Sequence, residues 1–121
     1  MKIITNPSKK QKSYLKQAIK LADQAQHRHK HGAVVVKSGR VVGVGINKST
    51  VHNKWVDYMD RSQCGVHAEV AAMRAAGENV VGSTVFIARV SSKTGYVHYS
   101  APCPNCYEAL EQAGVKQVVH S

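Results

Sequence analysis

A histidine, a glutamate and two cysteines in this chain are spaced for metal-assisted hydrolysis. They occupy two short segments, His67-Ala68-Glu69 and Pro102-Cys103-Pro104-Asn105-Cys106. One imidazole and two sulfurs form a donor set that zinc takes readily. A catalytic zinc keeps three protein ligands and one exchangeable position, where water sits. The metal lowers the pKa of such a water to about 7. Glu69, two residues from His67, reaches that water without itself binding the ion. A carboxylate so placed takes the proton and returns it to a nitrogen and its leaving group.

Each residue alone has a plainer reading. A histidine at a helix start is commonly a cap or a surface residue, and a glutamate there serves the helix dipole. A C-x-x-C pair is often structural or redox-active. Cys64, three residues before His67, offers a fourth ligand that would close the site and leave it inert, or else a small buried residue lining the loop. The coincidence of His67, Glu69 and the proline-flanked Cys103 and Cys106 favours a three-ligand site with Zn2+, one per chain.

These side chains need elements to hold them. Val66 to Ala76 reads as an alanine-rich helix stopped by Gly77, and Cys103 to Ala113 as another stopped by Gly114. His67 then opens one helix, and Cys103 and Cys106 open the other. Cysteines three apart share one side of a helical turn. The helix start also favours the thiolate.

Upstream, Asn6 caps a helix with Pro7 at its first position, running to about Gln26. Leu15, Ala18, Ile19 and Ala22 form its apolar stripe. Lys9, Lys12, Lys16 and Lys20 lie mostly off that stripe, and the His27-Arg28-His29-Lys30-His31 cluster ends the helix. Gly32 to Val36 reads as a strand buried on both faces, Ser38-Gly39 as a turn, and Arg40 to Ile46 as the second arm of a hairpin. Asn47 to Gly65 is a long polar stretch of the kind that carries function in small domains. Thr84 to Val90 is a strand, Tyr96 to Tyr99 a short returning one, and Val115 to His120 the last. The order predicts an α/β fold, a mixed sheet covered by helices on both faces.

The bulk properties set the frame. The chain has 121 residues and is 43% hydrophobic, enough for one domain, residues 1–121, with its own core. It lacks an apolar run of membrane-spanning length and a signal-peptide apolar region, so no membrane contact and a cytoplasmic location are expected. The net charge is +10 and uneven. Residues 1–40 hold ten Lys/Arg against one acidic residue, and residues 41–121 hold seven against six. A cationic first third suits an anionic partner, or is a solvated helix face.

Together the two motifs form the H-x-E…P-C-x-x-C signature of zinc nucleobase deaminases. The chain resembles the cytidine deaminase-like superfamily, on the deoxycytidylate and tRNA-adenosine deaminase side. The resemblance runs through "GAVVVKSGRVVGVGIN", "HAEVAAMRAAG", "STVFIARV" and "PCPNCYEALEQAGVKQVVHS". It implies a three-layer α/β/α fold, zinc on His67, Cys103 and Cys106, and proton shuttling by Glu69. It also implies that Asn47 hydrogen-bonds the sugar or the base, that backbone groups at Ala68 read the base edge, and that the protein is a homo-oligomer. A histidine at position 67 points away from the small tetrameric free-cytidine deaminases. The layout is similar to small phage and microbial members, for which a host cytoplasm would be the phage location. Three features depart from the family pattern. Lys48-Ser49-Thr50 follows Asn47, the stretch from Glu69 to Cys103 is lengthened by Ser91 to Ser100, and the chain stops just after Val119.

The leading expectation is hydrolytic conversion of cytosine to uracil and ammonia on a nucleotide or nucleoside, with Arg28, His29, Lys48 and Lys54 as candidate phosphate contacts. A second is deamination of cytosine or adenine within single-stranded DNA, RNA or tRNA, with Trp55, Tyr58, Tyr96 and Tyr99 stacking bases. A third is a basic nucleic-acid-binding module with structural zinc, and a fourth is deamination of a non-nucleotide heterocycle.

Overall fold

A computed structural model describes residues 1–25, 29–47 and 67–121, with the backbone alone at position 29. The first helix, α1, spans Lys9–Gln24 and is capped by Ser8. The Ser8 hydroxyl accepts the Gln11 N–H at 3.2 Å, and the Gln11 side chain accepts the Ser8 N–H at 2.8 Å. This reciprocal pair satisfies two donors at once, which Asn6 with Pro7 does not match, so the helix starts later than those residues predict. It ends at Gln24, with Ala25 already extended.

The chain then builds a mixed sheet. Strand β2 (His29–Lys37) pairs antiparallel with β3 (Arg40–Ile46) through a two-residue turn. Ser38 and Gly39 have φ of 53° and 74°, the paired positive values that match the twist of a tight hairpin. Strand β2 begins three residues before Gly32, because β4 (Thr84–Ser91) pairs with it all the way to His29↔Ser91. The histidine-rich cluster is therefore strand rather than helix end from His29 onward.

Strand β6 (Gln117–His120) runs parallel to β4, covering Thr84 to Ile87. Beyond it, the two-residue β5 (Val97–His98) covers Arg89 and Val90 on β4. A strand absent from the sequence reading, β1 (Lys2–Ile4), adds parallel to β6. The order is β1-β6-β4-β2-β3, with β5 beside β4.

Helix α2 (Ala68–Ala76), followed by a short 3-10 turn (Gly77–Val80), and helix α3 (Pro104–Gln112) complete the layers. Alternation along the strands sorts the core. Val34, Phe86, Ala88 and Val119 face α1 through Ala18. Ala33, Val35, Val85, Ile87 and Val118 face the other way, onto Ala68 and Ala72 of α2 and Leu110 of α3. The expected three-layer α/β/α arrangement is observed, with α1 alone on one face and α2 and α3 on the other.

Two glycines set the height of α2 above the sheet. A Cβ at Gly45 would lie 2.5 Å from both the Ala68 carbonyl oxygen and the Ala72 nitrogen, and one at Gly43 would lie 2.5 Å from the Ala72 carbonyl oxygen. No side chain fits there, so the helix rests on bare backbone.

Candidate metal centre

Helices α2 and α3 both begin at the same end of the sheet, where β3, β4 and β6 finish. His67 is the N-cap residue of α2, with φ −66° and ψ 143°, and Cys103 is the N-cap residue of α3, with φ −65° and ψ 163°. Neither makes a side-chain capping bond, so both side chains are turned to another use. Pro104 follows Cys103 at the first helical position, where its fixed φ fits and its missing N–H is not needed. Cys106 lies one turn in and is buried, while His67 and Cys103 are half-buried.

The sequence-predicted ligands converge. One donor atom each from His67, Cys103 and Cys106 lie within 4.8 Å of one another, the one such cluster of three among the described residues. His67 Nδ1 is 3.0 Å from Cys106 Sγ. Zinc bonds of about 2.0–2.3 Å to nitrogen and sulfur would span such a cluster. The donor set fits zinc: soft sulfurs with an imidazole, and no carboxylate completing a closed shell among the described residues.

Glu69, in the first turn of α2, is only 5% exposed. Its charge acts on Cys106. Burial is the largest influence on that thiol, pushing its pKa well above the ordinary 9.0, with the charges of Glu69 and Cys103 adding to it. Position at a helix start therefore does not by itself deliver the thiolate at Cys106, contrary to the sequence expectation, because burial and neighbouring negative charge outweigh the dipole. A cation among the three donors would reverse that balance.

Ala68 is fully buried against Gly45. Asn47 closes β3 and is 8% exposed. Its Oδ1 accepts the His31 N–H at 2.8 Å, and its own N–H reaches the His31 carbonyl at 3.3 Å, tying the ends of β3 and β2 together. Tyr96 and Tyr99 are exposed, and Tyr99 stands edge-on to His120 with ring centroids 5.1 Å apart. Arg28, Lys48, Lys54, Trp55, Tyr58 and Cys64 lie outside the described residues, as does the side chain of His29.

The segment before Cys103 is tied back to the sheet. Ser100 Oγ donates to the Ile87 carbonyl at 3.0 Å, Ser100 N–H to the Ser121 carbonyl at 2.8 Å, and Ser121 N–H to the Ile87 carbonyl at 2.9 Å. These bonds return the chain to β4 just before the cysteine pair. No motif marks them; the serines are read only from pairing partners distant in sequence.

The sequence profile of the cytidine and deoxycytidylate deaminase zinc-binding region matches residues 8–121. The chain belongs to this deaminase family. Within it, the chain is 31% identical over 112 residues to the riboflavin biosynthesis protein RibD of Aquifex aeolicus, covering 89% of this chain but only 26% of that one. The deaminase-family chain thus spans about a quarter of the length of that relative. It is 28% identical over 116 residues to the diaminohydroxyphosphoribosylamino-pyrimidine deaminase of Buchnera aphidicola, covering 93% and 67% of the two. Among solved structures, the dCMP deaminase of cyanophage S-TIM5 in its apo form superposes with a TM-score of 0.63 at 28% identity, over 97% of this chain and 87% of that one. The same phage enzyme is also solved in complex with dCMP and dUMP. Among the described residues, no helix of this deaminase-family chain is long and apolar enough to cross a membrane.

Proposed function

We propose that the chain hydrolytically deaminates a cytosine base carried on a nucleotide or nucleoside, of the deoxycytidylate type, yielding uracil and ammonia. The observation that carries this reading is the buried Glu69 beside a three-donor cluster of His67, Cys103 and Cys106. A structural zinc site has no use for a buried, unliganded carboxylate.

His67, Cys103 and Cys106 would hold the zinc. When bound, zinc supplies Lewis acidity that makes a water acidic near pH 7. Glu69 takes the proton of the attacking water on a carboxylate oxygen and passes it to the ring nitrogen next to carbon 4. A C–O bond forms at carbon 4. Glu69 then takes the remaining proton from the new hydroxyl on carbon 4 and delivers it to the amine, the C–N bond breaks as the C=O bond forms, and ammonia leaves. Burial of Glu69 keeps bulk water from competing for that proton. Ala68, in the first helical turn, belongs to the stretch whose N–H groups lack intrahelical partners and can hydrogen-bond a base edge. Asn47, at the end of β3, is the proposed contact to sugar or base.

The placement of charge supports a small substrate over a polynucleotide. The lysines of α1 are exposed, but α1 packs on the sheet face opposite α2 and α3. A strand following those lysines would leave the catalytic face. A second small-molecule reading has its own support: the RibD relatives and the Buchnera enzyme are named for riboflavin biosynthesis and for a phosphoribosylated diaminopyrimidine. In its nucleotide form the first reading shares with the second an aminopyrimidine on a phosphorylated sugar, and oligomers are proposed to complete the site's mouth.

Ammonia release and product mass, measured on zinc-loaded protein with Glu69→Ala as control, test the reading. The panel is deoxycytidine, cytidine, their phosphates, the phosphoribosylated diaminopyrimidine, adenosine and single-stranded oligonucleotides. Turnover of a cytosine nucleotide that vanishes in the control is expected. Turnover of the diaminopyrimidine alone would transfer the reading to the second substrate, and turnover of oligonucleotides alone would overturn both.

A further inference from the structure

One row of the sheet carries an arrangement that the deamination chemistry leaves unused. The register sets His31 of β2 opposite Arg89 of β4, and Arg89 opposite His98 of β5. Directly opposed residues in an antiparallel pair hold their Cβ atoms about 5 Å apart on one face of the sheet. Three nitrogen-bearing side chains therefore stand side by side across three strands. Asn47, bonded to His31, extends the row onto the end of β3.

Parity along the strands tells which face this is. Val85 and Ile87 of β4 and Ala33 of β2 pack against α2 and α3. Arg89 is two residues beyond Ile87 and His31 two residues before Ala33, so both project to the same side as the metal cluster. Ala68 lies over Gly45, which pairs with Ala33. His67, just outside the helix, is therefore at the level of the next row, that of Asn47, His31 and Arg89.

Arg89 is the centre of the row, and it is half-buried. Its backbone N–H donates to Ser121 Oγ at 3.2 Å, which in turn donates to the His98 carbonyl at 2.6 Å, so the backbone of the row is fixed. Its guanidinium has no hydrogen bond or ion pair among the described residues, where the one salt bridge is Lys30 with Asp23 on another part of the surface. A guanidinium is charged at all accessible pH and offers a planar fork that matches two oxygens of a phosphate. A half-buried arginine without a carboxylate, flanked by two histidines and placed beside the catalytic helices, is an anion seat.

We infer that Arg89, flanked by His31 and His98, binds the phosphate of the substrate and makes this chain select a phosphorylated aminopyrimidine over its unphosphorylated counterpart. The inference rests on the deamination reading above, which names the ring but not the residue that recognises the phosphate. It adds a specificity-determining role for a residue in β4, and explains why the lengthened segment after Ser91 returns beside the site: its strand β5 supplies His98.

The test compares kcat/KM for dCMP and deoxycytidine, and for the phosphoribosylated diaminopyrimidine and its dephosphorylated form, in the zinc-loaded chain. Wild type is expected to prefer the phosphorylated member. Arg89→Met is expected to reduce that preference about 10- to 100-fold, the worth of a charge-assisted hydrogen bond, and Arg89→Lys to restore part of it. No preference in the wild type, or a preference unchanged in Arg89→Met, overturns the inference while leaving the deamination reading intact. If wild type deaminates neither pair, the deamination reading fails separately, and calorimetry with ribose 5-phosphate decides the seat. Binding weakened in Arg89→Met and partly regained in Arg89→Lys supports it, and equal binding overturns it.

Discussion

The imidazole of His67 stands 3.0 Å from the sulfur of Cys106, although the two residues are 39 positions apart in the chain. Both belong to helix starts, and Cys103, the third donor, is itself an N-cap residue. The cluster thus joins the beginnings of α2 and α3.

Because His67 and Cys103 make no side-chain capping bonds of their own, metal removal should loosen both helix starts together. Chelation is expected to lower the melting temperature and to speed amide exchange in the first turns of α2 and α3, with α1 little affected. Exchange followed by mass spectrometry, before and after chelator, checks this. Cys106→Ala should abolish stoichiometric zinc and show the same pattern without chelator.

Replacing Glu69 separates chemistry from metal binding. Glu69→Gln keeps shape and burial but cannot carry the proton. Turnover is expected to fall about 10²- to 10⁴-fold, the usual contribution of a positioned acid–base group, while zinc content stays at one per chain. Zinc analysis beside the activity assay decides it; loss of zinc in this variant would place Glu69 among the ligands instead.

The buried thiol has a readable pH signature in the metal-free protein. Burial and nearby negative charge raise the Cys106 pKa above the ordinary 9.0. A raised folded-state value means that the fold prefers the neutral thiol. That contribution is fully present below pH 9.0 and fades as pH rises, because the unfolded chain ionises first. Metal-free wild type should therefore lose more stability than metal-free Cys106→Ala between pH 7 and 10, as measured by urea midpoints. In the same state, iodoacetamide should modify the half-exposed Cys103 before Cys106, as read by peptide mapping.

Gly45 tests the seat of α2. A Cβ there meets backbone at 2.5 Å, and backbone cannot swing aside. Gly45→Val is expected to cost about 1–3 kcal/mol or more by overpacking and to reduce zinc affinity, since His67 moves with the helix. Thermal melts with and without zinc measure both effects.

Much of the site was legible in the sequence because its chemistry is local. His67 and Glu69 are two apart, Cys103 and Cys106 three apart, and each pair falls within one helical turn whatever the rest of the fold does. The elements read least well were those defined by partners. β1 is three residues long, too short for any periodicity, and exists through its pairing with β6. His29 to His31 look like a polar helix end until β4 supplies the other half of the ladder. The start of α1 was readable in principle, since Ser8 and Gln11 have capping-box spacing, but Asn6-Pro7 offered a competing start signal. Arg89 carried no motif at all; only register puts it between two histidines.

The bonds from Ser100 and Ser121 to the Ile87 carbonyl have an evolutionary consequence. They anchor the exit of the 92–99 excursion to the same strand that it left, so its length and sequence can change without displacing Cys103. The 92–99 segment thus hangs on an insulated stem. Novelty in what the protein recognises can accumulate there, at the rim, while the metal ligands keep their spacing.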